Sequence, residues 1–413
     1  MADGVQPFAV QFGEAIDYLK GKLPEASLAW DSLAGPVHAK VFTVAGATSA
    51  DLAGEIQASL QQALANGSTI TAFRKDFDRI VQSHGWTYKG SRGWRTSVIF
   101  DTNMRSAHMA GRWAQIEANK EQRPFLQYRT AGDARVRPQH RAWDGKVYAV
   151  DDAFWHTHYP PNGWGCRCTV RSYGAAEMAR KGLQVSKPIK PQVRDVVNRD
   201  GVITDRVPVG IDPGWDHNVG QSWIDPELAL GRKLAALPRE LRGPLVDKTI
   251  SPAFEAAMNE GWKSFRSDVA VGRAPVSGQA QAVGFLDSAT LDALATRVPA
   301  LTVETSTVAV LDAELGALQA GGAGSAAWPA ELVDQLPSAL RNYRAVLWDA
   351  VDERLVVVPQ AGVPSQGLVP VAALAGGVRT SAGPAWSLQA LAMVAPGELG
   401  NAGRYRVLVG RVR

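Results

Sequence analysis

Residues His140–Cys168 read HRAWDGKVYAVDDAFWHTHYPPNGWGCRC, and no other stretch of the chain crowds so much chemistry together. Both cysteines, Cys166 and Cys168, and three of the seven histidines fall inside it. Trp155 and Trp164 are large apolar anchors, while Pro160, Pro161, Asn162, Gly163 and Gly165 restrict the backbone to extended and turn conformations. The pattern predicts one ordered loop from Ala131 to Gly165, held by Trp143, Phe154, Trp155 and Trp164 rather than by regular hydrogen bonding. A passive connector is seldom so long.

Working outward, the flanking segments are short and extended: Leu126–Thr130 before the loop, Lys146–Ala149 within it and Cys168–Ser172 after it. Upstream the period changes. Leu52, Ile56, Leu60 and Leu64 recur every four residues over 49–66, and Asn66-Gly67 supplies a stop. A second helix follows, capped at Ser68 or Thr69, with Ile70, Phe73, Phe77, Ile80 and Val81 as its stripe until Gly85. Residues 96–118 supply a third helix to cover that pair. Downstream, Lys181, Lys187, Lys190, Arg194, Arg199 and Arg206 alternate with Pro188, Pro191 and Pro208, which predicts a mostly extended arm.

After residue 250 the composition shifts to Ala, Gly, Val and Leu, and Gly321–Ala327 interrupts it. Arg344–Asp349, Arg354–Val358 and Tyr405–Val409 read as strands of one sheet. The expectation is an α+β protein: a helical platform packed on a small antiparallel sheet over 1–175, a basic proline-containing arm over 176–250, and a separate α+β domain over 251–413.

Composition narrows the classes. Two cysteines one residue apart cannot staple a fold, so a reduced compartment is expected. MADGVQPFAV lacks the charged-then-apolar pattern of a signal peptide, and no apolar run reaches membrane-spanning length, so no membrane partner is expected. The net charge of +4 is uneven: residues 1–250 carry 32 Lys/Arg against 26 Asp/Glu, and 251–413 carry 12 against 14. A polyanion contact would therefore lie in the first half.

The run Tyr128-Arg129-Thr130-Ala131-Gly132-Asp133, then Arg135–Pro138, His140, Asp144-Gly145, Asp152, Phe154-Trp155, Pro160-Pro161-Asn162 and Trp164-Gly165-Cys166-Arg167-Cys168 resembles the signature of the phage Mu gpF-like head morphogenesis proteins, minor capsid proteins of tailed phages. Phe42–Gly46, Phe73, Gly85-Trp86, Thr102–Met104, Ala110–Arg112 and Asp212–Asn218 are similar too. The resemblance implies a virion protein that associates with the portal on the inner side of the capsid, with the major capsid or scaffold protein and packaged DNA as further contacts, assembled in the host cytoplasm. It marks Arg129, Asp133, Arg135, His140, Asp144, Gly145, Trp155, Pro160, Pro161, Trp164, Cys166, Arg167 and Cys168 as a structural signature, with no catalytic residue and no required cofactor.

The residues themselves leave alternatives open. Were Cys166 and Cys168 on a strand, their thiols would share a face, and with His140 and one of His156, His158, Asp144 or Asp133 could complete a structural zinc site. The favoured reading is instead two semi-buried thiols packed beneath Trp164, with His140 hydrogen-bonded to a carboxylate. A Cys166–Cys168 disulfide and a Cys–His catalytic pair activated by Arg167 are further readings, although no protease or oxidoreductase motif accompanies them. Arg123, Arg129, Arg135, Arg137, Arg141 and Arg167 pair internally with Asp133, Asp144, Asp151 and Asp152, meet DNA phosphates or dock onto an acidic partner, with internal pairing the favoured reading for Arg135 and Arg167.

Leu336–Leu340 followed by Ala345–Asp349 is faintly similar to phage barnase/EndoU/RelE-like nuclease domains. Those depend on a histidine, and none follows His217. Glu304, Tyr343 and Arg344 could substitute only in strongly tuned surroundings. The reading is a non-enzymatic head morphogenesis protein; its rivals are a virion-delivered effector with a nuclease-like domain and a zinc-stabilised DNA-binding adaptor.

Overall fold

Helix periodicity in the first third of the chain maps directly onto structure, because each apolar stripe has another stripe to bury against. The structure, a computed structural model, describes residues 12–270, 280–320, 328–360, 367–380 and 383–412. Helix α1 (Gly13–Lys20) and the parallel two-residue strands β1 (Leu23–Pro24) and β2 (Val41–Phe42) precede α2 (Ala50–Asn66), α3 (Ile70–Ser83) and α4 (Arg92–Ala118). Ser49 caps α2 by accepting from the Leu52 amide. Thr69 stands at the N-terminus of α3 without a side-chain capping bond. Ile56, Leu60, Phe73, Phe77, Ile80, Trp86 and Ile99 close the helical core.

The loop region packs against the far end of α4. Strand β3 (Phe125–Arg129) lies between β4 (Val147–Ala149) and β5 (Thr169–Tyr173), antiparallel to both. Helices α5 (Pro138–Trp143) and α6 (Phe154–His158) interrupt the connection. The loop is thus ordered in part by regular turns, which its prolines and glycines did not predict. Trp113, Leu126, Tyr128, Tyr148, Trp155 and Tyr159 form a second core, each almost fully buried.

The arm expected over 176–250 is not one extended piece. Helix α7 (Ala175–Arg180) leads into residues bonded to β4: the Ser186 amide donates to the Val147 carbonyl at 2.8 Å, and the Tyr148 hydroxyl to the Lys187 carbonyl at 3.2 Å. Strands β6 (Val193–Val197) and β7 (Ile203–Pro208) form an antiparallel hairpin. Helix α8 (Val219–Ile224) completes the first of two compact units, Met1–Ile224.

The second unit, Asp225–Arg413, opens with helices α9 (Pro226–Ala236), α10 (Arg239–Asp247) and α11 (Pro252–Ala270). Leu228, Leu230 and Leu234 are buried, so the last third of the expected arm is core-forming helix. Then come β8 (Ala280–Phe285), α12 (Ser288–Arg297), β9 (Thr307–Leu311), α13 (Asp312–Ala320), α14 (Ala330–Asp334), α15 (Leu336–Arg341), β10 (Tyr343–Asp349), β11 (Arg354–Pro359), β12 (Val369–Thr380), β13 (Gly383–Val394), α16 (Pro396–Leu399) and β14 (Tyr405–Gly410). The sheet order is β14-β10-β11-β12-β13-β9-β8. Every pair is antiparallel except β13–β9. The three predicted strands are neighbours in it; Gly321–Ala327 lies outside the described residues. The chain is an α+β protein, and no helix among the described residues is long and apolar enough to cross a membrane.

Candidate functional site

Strand β5 begins at Thr169, so neither cysteine lies on a strand. Their thiols nevertheless converge. Nδ1 of His140, on α5, stands 3.8 Å from Cys166 Sγ and 3.5 Å from Cys168 Sγ, and all three side chains are buried. The other ring nitrogen, Nε2, is 2.9 Å from the Gly210 carbonyl. A neutral imidazole that donates there presents the Nδ1 lone pair to the thiols. The two cysteines are free, which removes the disulfide reading, and His140 bonds a carbonyl rather than a carboxylate.

Backbone geometry makes this approach feasible. Gly210 has φ +97°, and a β-carbon there would stand 2.6 Å from Gln139 Cβ. At Gly163 a β-carbon would fall 2.3 Å from Asp212 Oδ2 and 2.5 Å from Arg137 Nη1. Those two side chains fasten the loop. Arg137 donates to both oxygens of Asp212 at 3.0 and 2.9 Å and to the Trp164 carbonyl at 2.9 Å; Asp212 accepts the Trp164 amide at 2.9 Å. A bidentate arginine–carboxylate pair fixes orientation as well as distance. From α4, Arg105 donates to the Cys166 carbonyl at 3.0 Å.

The remaining signature residues divide into those that hold the loop and those that face outward. Asp133 receives two bonds from Arg167, at 2.7 and 2.6 Å, and these hold its carboxyl down to about 2. Arg135 approaches the same carboxylate at 3.6 Å. Asp144 accepts the Thr130 amide at 2.7 Å, and Gly145, with φ +79°, makes the turn whose amide reaches the Tyr128 carbonyl. Trp155 is wholly buried and donates to the Ala149 carbonyl. Pro160-Pro161 is a cis pair buried beside Tyr159. Arg129 is exposed and reaches the Gln127 amide oxygen, at 3.4 Å. Trp164 is 39% exposed, resting edge-on against Trp30 and Trp215, so it does not roof the thiols.

Internal pairing claims four of the six basic residues: Arg123 with Glu177, Arg137 with Asp212, and Arg135 and Arg167 with Asp133. Arg129 and Arg141 have no carboxylate partner among the described residues. The suggested fourth ligands are elsewhere: Asp133 is committed to Arg167, Asp144 to Thr130, and His158 stacks on Phe154 with its Nδ1 against the Thr157 hydroxyl. Sequence reading missed Tyr128, Arg105 and Gly210 as partners of the site. Asp212 was visible only as part of a family-like run.

Residues 54–171, which contain His140, both cysteines and the Arg167–Asp133 pair, match the sequence model of the family described as Phage Mu protein F like protein. Over these residues the chain is similar to the Mu F-like proteins. The Putative capsid assembly protein F of Escherichia phage Mu is 29% identical over 375 residues, covering 84% of this chain and 83% of the phage protein. The Mu-like prophage FluMu F protein of Haemophilus influenzae (strain ATCC 51907 / DSM 11121 / KW20 / Rd) is 32% identical over 241 residues, 52% of this chain and 58% of its own length. No solved structure matches the chain. An alignment over 84% of 413 residues cannot fit within 1–224, so similarity to the phage Mu protein runs on into the second unit.

Proposed function

We propose that this chain is a capsid assembly protein of a Mu-like phage, present in the virion on the inner side of the head and associated with the portal, where it aids head assembly, DNA packaging or ejection. The observation that carries the proposal is the long alignment with a capsid assembly protein, which extends over both units rather than stopping at the Mu F-like region. A second unit recruited as an effector would have no reason to align with that protein.

The chemistry of the second unit supports a non-enzymatic role. No histidine follows His217, and the Tyr343 hydroxyl is bonded to Asp287, with burial and that carboxylate pushing its pKa far above the ordinary tyrosine value. Tyr343 is therefore a poor proton shuttle near neutral pH. Pairing of Arg123, Arg137 and Arg167 also withdraws charge that a strong DNA contact would need. The work falls to folded surfaces, and protein partners in the head suit them best.

Co-expression with the portal protein of the same phage tests the reading. The two should co-elute in size-exclusion chromatography, and cross-links should join this chain to the portal in isolated procapsids. Procapsids that contain the portal but lack this chain would refute it.

A further inference from the structure

We infer that His140, Cys166 and Cys168 bind a zinc ion as three protein ligands, with the fourth coordination position turned toward a small cavity. The inference rests on this site alone and stands or falls independently of the capsid reading.

The donor set and its spacing carry the argument. Zinc takes thiolate sulfur at about 2.3 Å and imidazole nitrogen at about 2.0–2.1 Å, so a tetrahedral ion sets nitrogen and sulfur roughly 3.6 Å apart along a shared edge. Nδ1 of His140 lies 3.5 Å from one sulfur and 3.8 Å from the other. All three donor atoms fall within 4.8 Å of one another. The Gly210 carbonyl holds the second ring nitrogen at 2.9 Å, the outer-shell contact that orients a ligating histidine and fixes its tautomer.

A divalent cation would hold both sulfurs as thiolates, since a coordinating thiol is deprotonated outright. Arg167, held by Asp133, contributes positive charge near both sulfurs.

Among the described residues no further His, Cys, Asp or Glu joins the cluster, so the fourth position has no ligand of those types. A cavity of about 30 Å³ borders His140, Cys166 and Cys168 and is lined on its other side by Ala131, Arg135 and Arg137. That is room for a water molecule, which needs ~10–15 Å³. The site is therefore a three-ligand centre completed by water, in place of the four-protein-ligand arrangement that the sequence left open as one alternative. Zinc would tie α5 to the end of the loop and, through Gly210, to the segment after β7.

Metal analysis of the full-length protein, purified without chelator from zinc-supplemented cells, tests this directly. The expected result is about one equivalent of zinc. Cobalt(II) exchanged into the protein should give intense visible bands of a tetrahedral ion and a near-ultraviolet thiolate-to-cobalt band. Cys166→Ser with Cys168→Ser should lose both the zinc and the sulfur band. Metal-free wild-type protein that takes up no cobalt while both thiols alkylate freely would overturn the inference. So would undiminished zinc in the double variant, which would place the metal elsewhere. Wild-type analysis stands by itself if the variant fails to fold.

Discussion

The 131–168 loop and the seven-stranded sheet of the second unit are both ordered, but by opposite means. In the loop, order comes from individual side chains reaching across long sequence separations: Arg137 to Asp212, Arg167 to Asp133, Tyr128 to Asn162, His140 to Gly210. In the sheet it comes from backbone ladders between strands whose buried faces are Val, Ala and Leu, repeated many times over. A structure held by a few distinct contacts is sensitive to each of them; one held by repetition spreads the loss. The contrast also separates chemistry from scaffold, since the thiols, the buried imidazoles and the charged staples of the loop have no histidine- or cysteine-bearing counterpart in the second unit.

The largest break in that comparison should come from Trp155→Ala, which empties a fully buried site and should cost the first unit about 3–5 kcal/mol in denaturant titration. A loss below about 1 kcal/mol would mean that the loop is not organised around this ring. Next, Asp212→Ala leaves Arg137 and the Trp164 amide without their acceptor; about 2–3 kcal/mol is expected from losing charged hydrogen bonds in a half-buried setting. Native-state hydrogen exchange should show 131–168 opening first.

Acid should divide the two units more gently. Burial lowers the His158 pKa from 6.5 to about 4, so the folded first unit binds fewer protons than its unfolded chain across that window. Its stability is full above about pH 6.5 and is lost as pH falls toward 4, by about 2 kcal/mol at pH 5. His158→Gln should remove this part of the slope and leave the part due to His38, whose pKa burial lowers to about 3. Exchange protection in the second unit, corrected for intrinsic rates, should show no such change between pH 7 and 5, because no histidine follows His217.

How much of this was legible in the sequence follows the same division. Helices α2 and α3 announce themselves by period, α4 as the partner they need and strands β10, β11 and β14 as short apolar runs, and the structure places them within a few residues of the expected limits. Strands β12 and β13 escaped notice because their Ala- and Gly-rich runs lack clear alternation and their pairing carries register shifts. Helices α9 and α10 were hidden by the prolines and basic residues around them. Of the site, the three donors and the Arg167–Asp133 pairing were readable. Asp212, 75 residues from Arg137, and Gly210, 70 from His140, could not be derived as partners from local pattern. Trp164 misled because bulk suggests burial, yet its ring rests on Trp30 and Trp215 at the surface.

Smaller effects sharpen the contrast. Val358→Ala in the sheet should cost about 1–2 kcal/mol, the value of two buried methyl groups, with no local opening around it. Arg135→Ala, an exposed partner of Asp133, should fall within about 0.5 kcal/mol of the parent.

The central claim, that the chain works in head assembly through folded surfaces, is tested most directly by counting DNA-filled heads in electron micrographs of lysates from a phage deleted for this gene. Deletion should leave few or no filled heads, the wild-type chain supplied in trans should restore them, and the Asp212→Ala chain should restore them poorly, whereas Tyr343→Phe should complement fully. Filled heads at the parental yield without the chain would contradict the account.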